Sequence, residues 1–187
     1  MAPSTKATSV TINRAPVLTL WAAVVAERLG FARDEALTLG KAVAGLNAQS
    51  KGRALGMFAP GGKAGTARKP REVAPGKTLH VELMQRAVPA VRTPEGLRAV
   101  HGGKPMSSES VERYLESKFK ESLGAARAAM TALAESLPPA ELAASATALY
   151  EEFRPAVPAG TRGWGAQGVL DLERIRSLAS KRRARNP

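Results

Sequence analysis

The side chains of this chain that are best suited to chemistry are lysines and arginines gathered in two short segments. Residues 51–78 carry seven basic side chains and one acid, and residues 174–187 carry six basic side chains and no acid. Each segment therefore has a net charge of +6, and together they account for the whole formal charge of +12. Cations concentrated in this way are typical of proteins with a polyanionic partner, because each phosphate that they neutralise releases counterions.

The two basic segments predict contacts with a phosphate backbone. Lysines and arginines spaced by glycine, alanine and proline are able to follow such a backbone without reading the base sequence. For 51–78, a solvated linker whose charge aids solubility is the alternative interpretation. The candidate nucleic-acid-binding residues are Lys51, Arg53, Lys63, Arg68, Lys69, Arg71, Lys77, Lys181, Arg182, Arg183 and Arg185.

A third candidate for nucleic-acid contact is the string AERLGFARDEAL at 26–37. Ala26, Gly30 and Phe31 provide a small residue, a turn glycine and an apolar residue at the spacing of a helix-turn-helix, so the string resembles that motif of bacterial regulators. The resemblance implies a second helix able to enter a major groove. The string also resembles a ubiquitin-associated three-helix module, which implies peptide binding. A purely structural pair of helices is the remaining alternative.

Enzymatic motifs are not found in the sequence. The chain has no cysteine, which excludes disulfides, thiolate metal sites and a cysteine nucleophile. Gly56 and Gly61 have the spacing of a phosphate-binding loop, but Gly62 stands where that motif requires lysine. His80 and His101 are the only histidines, and no carboxylate pair accompanies them. We therefore expect a non-enzymatic protein with no cofactor and no metal.

The two tryptophans have different expected roles. Trp21 lies on the apolar face of the first predicted helix and is expected in the core. Trp164 lies in a glycine-rich stretch, where it either fills a small core beneath a tight turn or presents an exposed indole for stacking on a base.

The elements that must position these residues are mainly helical. Apolar residues at spacings of three and four predict helices over 16–29, 33–49, 108–137, 140–153 and 171–180. Gly30 is expected to end the first of these helices, and Asp171 is expected to cap the last. In the second helix, Gly40 and Gly45 either weaken the helix or allow a neighbour to approach closely. Alternating apolar residues predict a small antiparallel sheet or hairpin within 78–101. The expected fold is mainly α, with about five helices and this small sheet.

The same patterns divide the chain into five regions. These are a flexible N-terminal tail over 1–14, a helical hairpin over 15–50, a basic Gly/Pro-rich loop over 51–78, an α+β helical body over 79–180 and a basic C-terminal tail over 181–187. The polar N-terminus lacks the apolar part of a secretory signal, and the longest apolar stretch, 15–26, is too short to span a bilayer. We expect a cytoplasmic protein without membrane contact, and the Ala-rich composition suggests a bacterial source.

Charge and composition together predict a non-enzymatic nucleic-acid-binding protein, with basic flexible segments around a neutral helical body. DNA is favoured over RNA as its partner. The alternative is a protein–protein interaction or assembly module with an acidic protein partner, in which the Ala-rich helix over 108–137 supplies a face for homo-oligomers. A third hypothesis is an enzyme whose site is assembled from scattered residues, which requires a deep pocket lined by polar groups.

Overall fold

A computed structural model describes residues 8–54, 78–158, 160 and 166–185 of the chain, with the backbone alone described for 51–54. Six α-helices and six strands lie within these residues. They are β1 (Ser9–Asn13), α1 (Arg14–Arg28), α2 (Arg33–Ala54), β2 (Leu79–Leu83), β3 (Arg86–Thr93), β4 (Gly96–His101), β5 (Lys104–Pro105), α3 (Ser108–Phe119), α4 (Leu123–Glu135), α5 (Pro139–Phe153), β6 (Gln167–Asp171) and α6 (Leu172–Arg185). The expectation of a mainly helical fold with a small antiparallel sheet is confirmed.

Helix α1 forms the centre of the core. Every residue from Pro16 to Ala26 is buried, which is typical of a helix that is apolar on all sides and enclosed by its neighbours. The indole N–H of Trp21 donates to the Ala146 carbonyl oxygen at 2.9 Å, and its ring meets that of Phe153 edge-on at 5.2 Å between centroids. Trp21 is therefore a core residue, as predicted.

Helix α2 packs back along α1 after a tight turn. Gly30 has φ +107° and ends α1 as expected, because this backbone conformation favours glycine. The two helices come closest at Gly40, where a Cβ would lie 2.5 Å from the Thr19 carbonyl oxygen. Of the two roles that the sequence left open for Gly40, close approach of a neighbour is confirmed. Helix α2 runs on to Ala54, beyond the predicted end around Gln49.

The sheet predicted near 78–101 is present and extends further than a hairpin. Strands β2, β3, β4 and β5 pair in that order, each antiparallel to the next. Strand β4 lies against α2, where the hydroxyl oxygen of Thr38 accepts the N–H of Ala99 at 3.1 Å. The carboxylate of Glu35 accepts the N–H of Leu97 at 3.0 Å and the N–H of Ala32 at 3.2 Å. Glu35 therefore caps α2 and attaches it to the sheet.

The prediction of one continuous helix over 108–137 is wrong. Helix α3 ends at Phe119, a 3₁₀ turn covers Lys120–Ser122, and α4 begins at Leu123. Lys120 has φ +51° and ψ −130°, which no helix contains. The apolar spacing of three and four continues across this break because both helices bury an apolar face in one core. The spacing therefore does not reveal the change of direction.

A second sheet of two strands was not predicted. Strand β1 pairs antiparallel with β6, from Ser9 opposite Asp171 to Asn13 opposite Gln167. Residues 9–13 are therefore a strand where a flexible tail was expected, and 1–7 lie outside the described residues. Asp171 caps α6 as predicted, since its carboxylate accepts the N–H groups of Glu173 and Arg174. In the described part of the chain, no helix has the length and apolar character needed to cross a membrane.

Candidate functional site

The predicted nucleic-acid-binding residues fall into three groups. Outside the described residues lie Lys63, Arg68, Lys69, Arg71 and Lys77. Lys51 and Arg53 lie in the last turns of α2, where the backbone alone is described. On α6 lie Lys181, Arg182, Arg183 and Arg185. Helix α6 continues through Arg185, so these four residues occupy a helix in place of the tail that was expected from position 181.

Helix α6 separates an anchoring face from a basic face. Its buried residues are Leu172, Ile175 and Ala179, and the helix packs on α4 and β1. Because an α-helix has 3.6 residues per turn, Arg174, Lys181 and Arg185 fall together on the opposite side. We call these three residues the α6 basic stripe. All three are exposed, and at 1.5 Å per residue the stripe is about 16 Å long.

The basic residues of α6 differ in whether a carboxylate neutralises them. Arg176 pairs with Glu173 one turn earlier, and the guanidinium of Arg182 lies 3.9 Å from the Glu152 carboxylate of α5. Within the part of the chain that the structure describes, neither the α6 basic stripe nor Arg183 has a carboxylate within 4.0 Å. The stripe is therefore a row of cations that faces solvent.

The structure changes the predicted set of nucleic-acid-binding residues at two positions of α6. Arg182 was a predicted binding residue, but it is half-buried and attaches α6 to α5. Arg174 was counted in the charge of the segment but not among the site residues. Its signal was present in the sequence, because Arg174, Lys181 and Arg185 follow one another at spacings of seven and four, the period of one helix face.

The second helix of the helix-turn-helix-like string turns its apolar side into the core, and the exposed residues of the string, Gly30, Ala32, Arg33 and Asp34, lie at the turn and the start of α2. Ala36, Leu37 and Leu39 are at most 1% exposed, since α1 covers one side of α2 and strand β4 covers another. Glu35 is occupied by its bonds to the backbone of Leu97 and Ala32. Among the three interpretations of this string, the packing favours a structural pair of helices.

A groove that the sequence did not predict lies between α2, α3 and the sheet. Its volume is 360 Å³. The residues that line it are Lys41, Ala42, Gly45, Leu46, Gln49, Pro89, Val100, His101, Met106, Ser107, Ser110, Val111 and Tyr114. Most of these side chains are apolar and none is acidic. No sequence signal joins Lys41 to Tyr114, because they lie on different helices and meet only through the tertiary fold.

One end of the groove holds a lysine and a tyrosine in cation–π contact. The ammonium of Lys41 lies 3.4 Å from the centroid of the Tyr114 ring, and that of Lys118 lies 6.0 Å from the same centroid. Burial lowers the pKa of Lys41, and the nearby charge of Lys118 lowers it further. Burial also raises the pKa of the Tyr114 phenol. Both side chains are half-buried, so water solvates this end of the groove incompletely.

A smaller cavity of 270 Å³ lies beside the β2–β3 turn. Several of its polar groups are already hydrogen-bonded. The Arg86 guanidinium donates to Ser50 at 2.9 Å and to Asn47 at 3.4 Å, and the Thr147 hydroxyl donates to the Met84 carbonyl oxygen at 3.3 Å. These bonds hold α2 and α5 to the turn, so the cavity offers few unoccupied groups to a ligand.

Comparison with known proteins gives no match, whether with family models, curated proteins or solved structures. Among the described residues, no group of three or more histidines, aspartates or glutamates is arranged to hold a metal ion. Trp164, for which the sequence allows either a stacking role or a core role, lies outside the described residues.

Proposed function

We propose that this protein binds nucleic acid through the α6 basic stripe, together with the basic segment 51–78. The observation that carries the proposal is the row formed by Arg174, Lys181 and Arg185, which are exposed and have no carboxylate partner among the described residues. A phosphate that approaches this row gains charge-assisted hydrogen bonds without breaking an existing ion pair.

The anchoring of α6 supports this function. Leu172, Ile175 and Ala179 fix one face of the helix in the core, so the cations on the other face are carried by a rigid element. Rigid presentation lowers the entropy lost on binding. Duplex DNA has one charge per about 1.7 Å of its axis and offers the stripe more phosphates than a single strand does. We therefore favour duplex DNA over single-stranded RNA as the partner.

The binding is expected to be independent of base sequence. The stripe consists of long cationic side chains that suit phosphate oxygens, and contacts with phosphates position a protein without specifying a site. Three phosphate contacts give a slope of about −2.7 for the logarithm of affinity against the logarithm of salt concentration, with a further contribution from 51–78.

The test is fluorescence anisotropy with labelled duplex DNA and single-stranded RNA over a range of salt concentrations. The variant R174Q/K181Q/R185Q removes the stripe. The matched control R92Q/K104Q/R113Q removes the same charge at three other residues that are exposed and have no ion pair among the described residues. We expect the first variant to flatten the salt slope by about 2–3, and the control to leave it nearly unchanged.

The alternative outcomes separate the hypotheses. Equal losses in the two variants would show that net charge, and not the stripe, determines binding. Unchanged binding after neutral substitution of Arg68, Lys69, Arg71 and Lys77 would remove segment 51–78 from the proposal. If the wild-type protein binds neither probe at low salt, the proposal fails and an acidic protein becomes the better candidate partner.

A further inference from the structure

We propose that the groove between α2, α3 and the sheet binds a small organic anion with an apolar body, such as a medium-chain carboxylate, and that Lys41 is its ionic partner. This inference concerns a different surface from the α6 basic stripe and does not depend on nucleic-acid binding.

The shape of the groove suits a small molecule. Its 360 Å³ falls within the range of about 300–1,000 Å³ that is typical of ligand pockets. Leu46, Val100, Met106 and Val111 line the apolar part, where burial of hydrocarbon contributes about 25 cal/mol per Å². A few polar groups beside such an apolar wall are the usual arrangement for fixing a ligand's orientation.

The charge of the groove selects an anion. Lys41 is half-buried, and the described part of the chain places no carboxylate within 4.0 Å of its ammonium. The face of the Tyr114 ring, 3.4 Å away, compensates part of the lost hydration through a cation–π contact. A carboxylate at this end would give Lys41 the ion pair that the described residues do not supply, and no acidic side chain lines the groove to repel it.

Gly45 leaves one wall of the groove open. Glycine within a helix costs about 1 kcal/mol relative to alanine, and at Gly40 close packing against α1 explains that cost. At Gly45 a Cβ would have no atom within 4 Å, so packing gives no reason for the missing side chain. Gly45 lines the groove, and the space beside it is available to a bound molecule.

Methionine methyl groups provide the readout for the test. Met106 lines the groove, Met84 lines the other cavity, and Met130 is fully buried in the core. The protein labelled with carbon-13 at its methionine methyls is titrated with octanoate, octanol and octylammonium, while the methyl resonances are followed by NMR. We expect octanoate to shift Met106 and leave Met84 and Met130 in place. Octanol should bind about tenfold more weakly, and octylammonium more weakly still.

Three variants complete the experiment. K41M keeps the apolar stem of the side chain without its charge, and should weaken the binding of octanoate about tenfold. G45L fills the groove on a helix that tolerates leucine, and should abolish the Met106 shift without loss of folding. G124L places the same side chain at another helical glycine with open space around it, on α4 and outside the groove, and should bind octanoate normally.

Three results would overturn the proposal. The first is a Met106 resonance that does not move at millimolar octanoate. The second is an affinity for octylammonium equal to that for octanoate. The third is a G45L variant that binds octanoate as tightly as G124L does. None of them bears on the α6 basic stripe, because the DNA titration uses different residues and a different readout.

Discussion

Gly40 of α2 lies directly against Thr19 of α1, so close that a Cβ on Gly40 would stand 2.5 Å from the Thr19 carbonyl oxygen. The backbone N of Ala23 would be 2.8 Å from the same Cβ. Both contacts involve backbone atoms of a buried helix, and these atoms are unable to move aside as a flexible side chain would. The separation of the two central helices therefore requires a glycine at this position.

Substitution of Gly40 by alanine should destabilise the protein by about 2–3 kcal/mol, because the methyl group forces α1 and α2 apart. Substitution of Gly45 by alanine in the same helix should stabilise it by about 0.5–1 kcal/mol, since no atom obstructs that methyl group. Urea denaturation of both variants measures the two changes. Similar effects of the two substitutions would show that helix propensity, and not close packing, determines the response.

Substitution of Lys120 by glycine should raise stability by about 1 kcal/mol. Lys120 has φ +51° and ψ −130°, a conformation that costs a side-chain-bearing residue about 1–3 kcal/mol and costs glycine little. Part of the gain is lost because glycine increases the entropy of the unfolded chain. Lys118→Gly, within the last turn of α3, is the control and should lower stability by about 1 kcal/mol. A lower thermal midpoint for Lys120→Gly would contradict the expectation.

The protein should lose stability as the pH rises above about 10. Burial raises the pKa of Tyr150, and the neighbouring charges of Arg14 and Arg154 offset only part of this effect. The unfolded chain releases the phenolic proton near pH 10 and the folded chain retains it, so alkaline pH favours the unfolded state. Below pH 10 both states hold the proton, and the contribution is constant.

Tyr150→Phe isolates this effect. The variant should lose about 1 kcal/mol at neutral pH, because the hydroxyl no longer donates to the Arg14 carbonyl oxygen at 3.2 Å. It should also show a smaller decline in its denaturation midpoint above pH 10. An equal decline in both proteins would assign the alkaline sensitivity to other groups, of which Tyr114 is the next to test because burial raises its pKa as well.

The features that could be predicted from the sequence are those that neighbouring residues determine. Trp21 in an apolar helix, Gly30 at a helix end and Asp171 as a cap each depend on a few adjacent positions. Strand β6 was not predicted because it contains Gly168 and its partner, β1, lies at the other end of the described chain. The break at Lys120 was not predicted because the apolar spacing is the same on both sides of it.

For the candidate sites too, the sequence predicts what neighbouring residues determine and does not predict contacts between distant residues. The basic charge of 174–187 is evident from composition alone, but its availability depends on tertiary structure. Arg182 lies against Glu152, while Arg174 faces solvent. The groove depends on Lys41 and Tyr114 meeting across two helices. A pattern within a single segment does not contain that information.

The pairing of β1 with β6 also sets an order of events during synthesis. The ribosome makes Ser9–Asn13 before the other described elements, but the strand that pairs with it is complete only at Asp171. Because a contact so distant in sequence forms late, a nascent chain must hold β1 unpaired while the helices between the two strands are made. Helix α6 follows directly after β6. Its basic face is therefore displayed only after every other described element has been made, so shorter nascent chains do not present the α6 basic stripe.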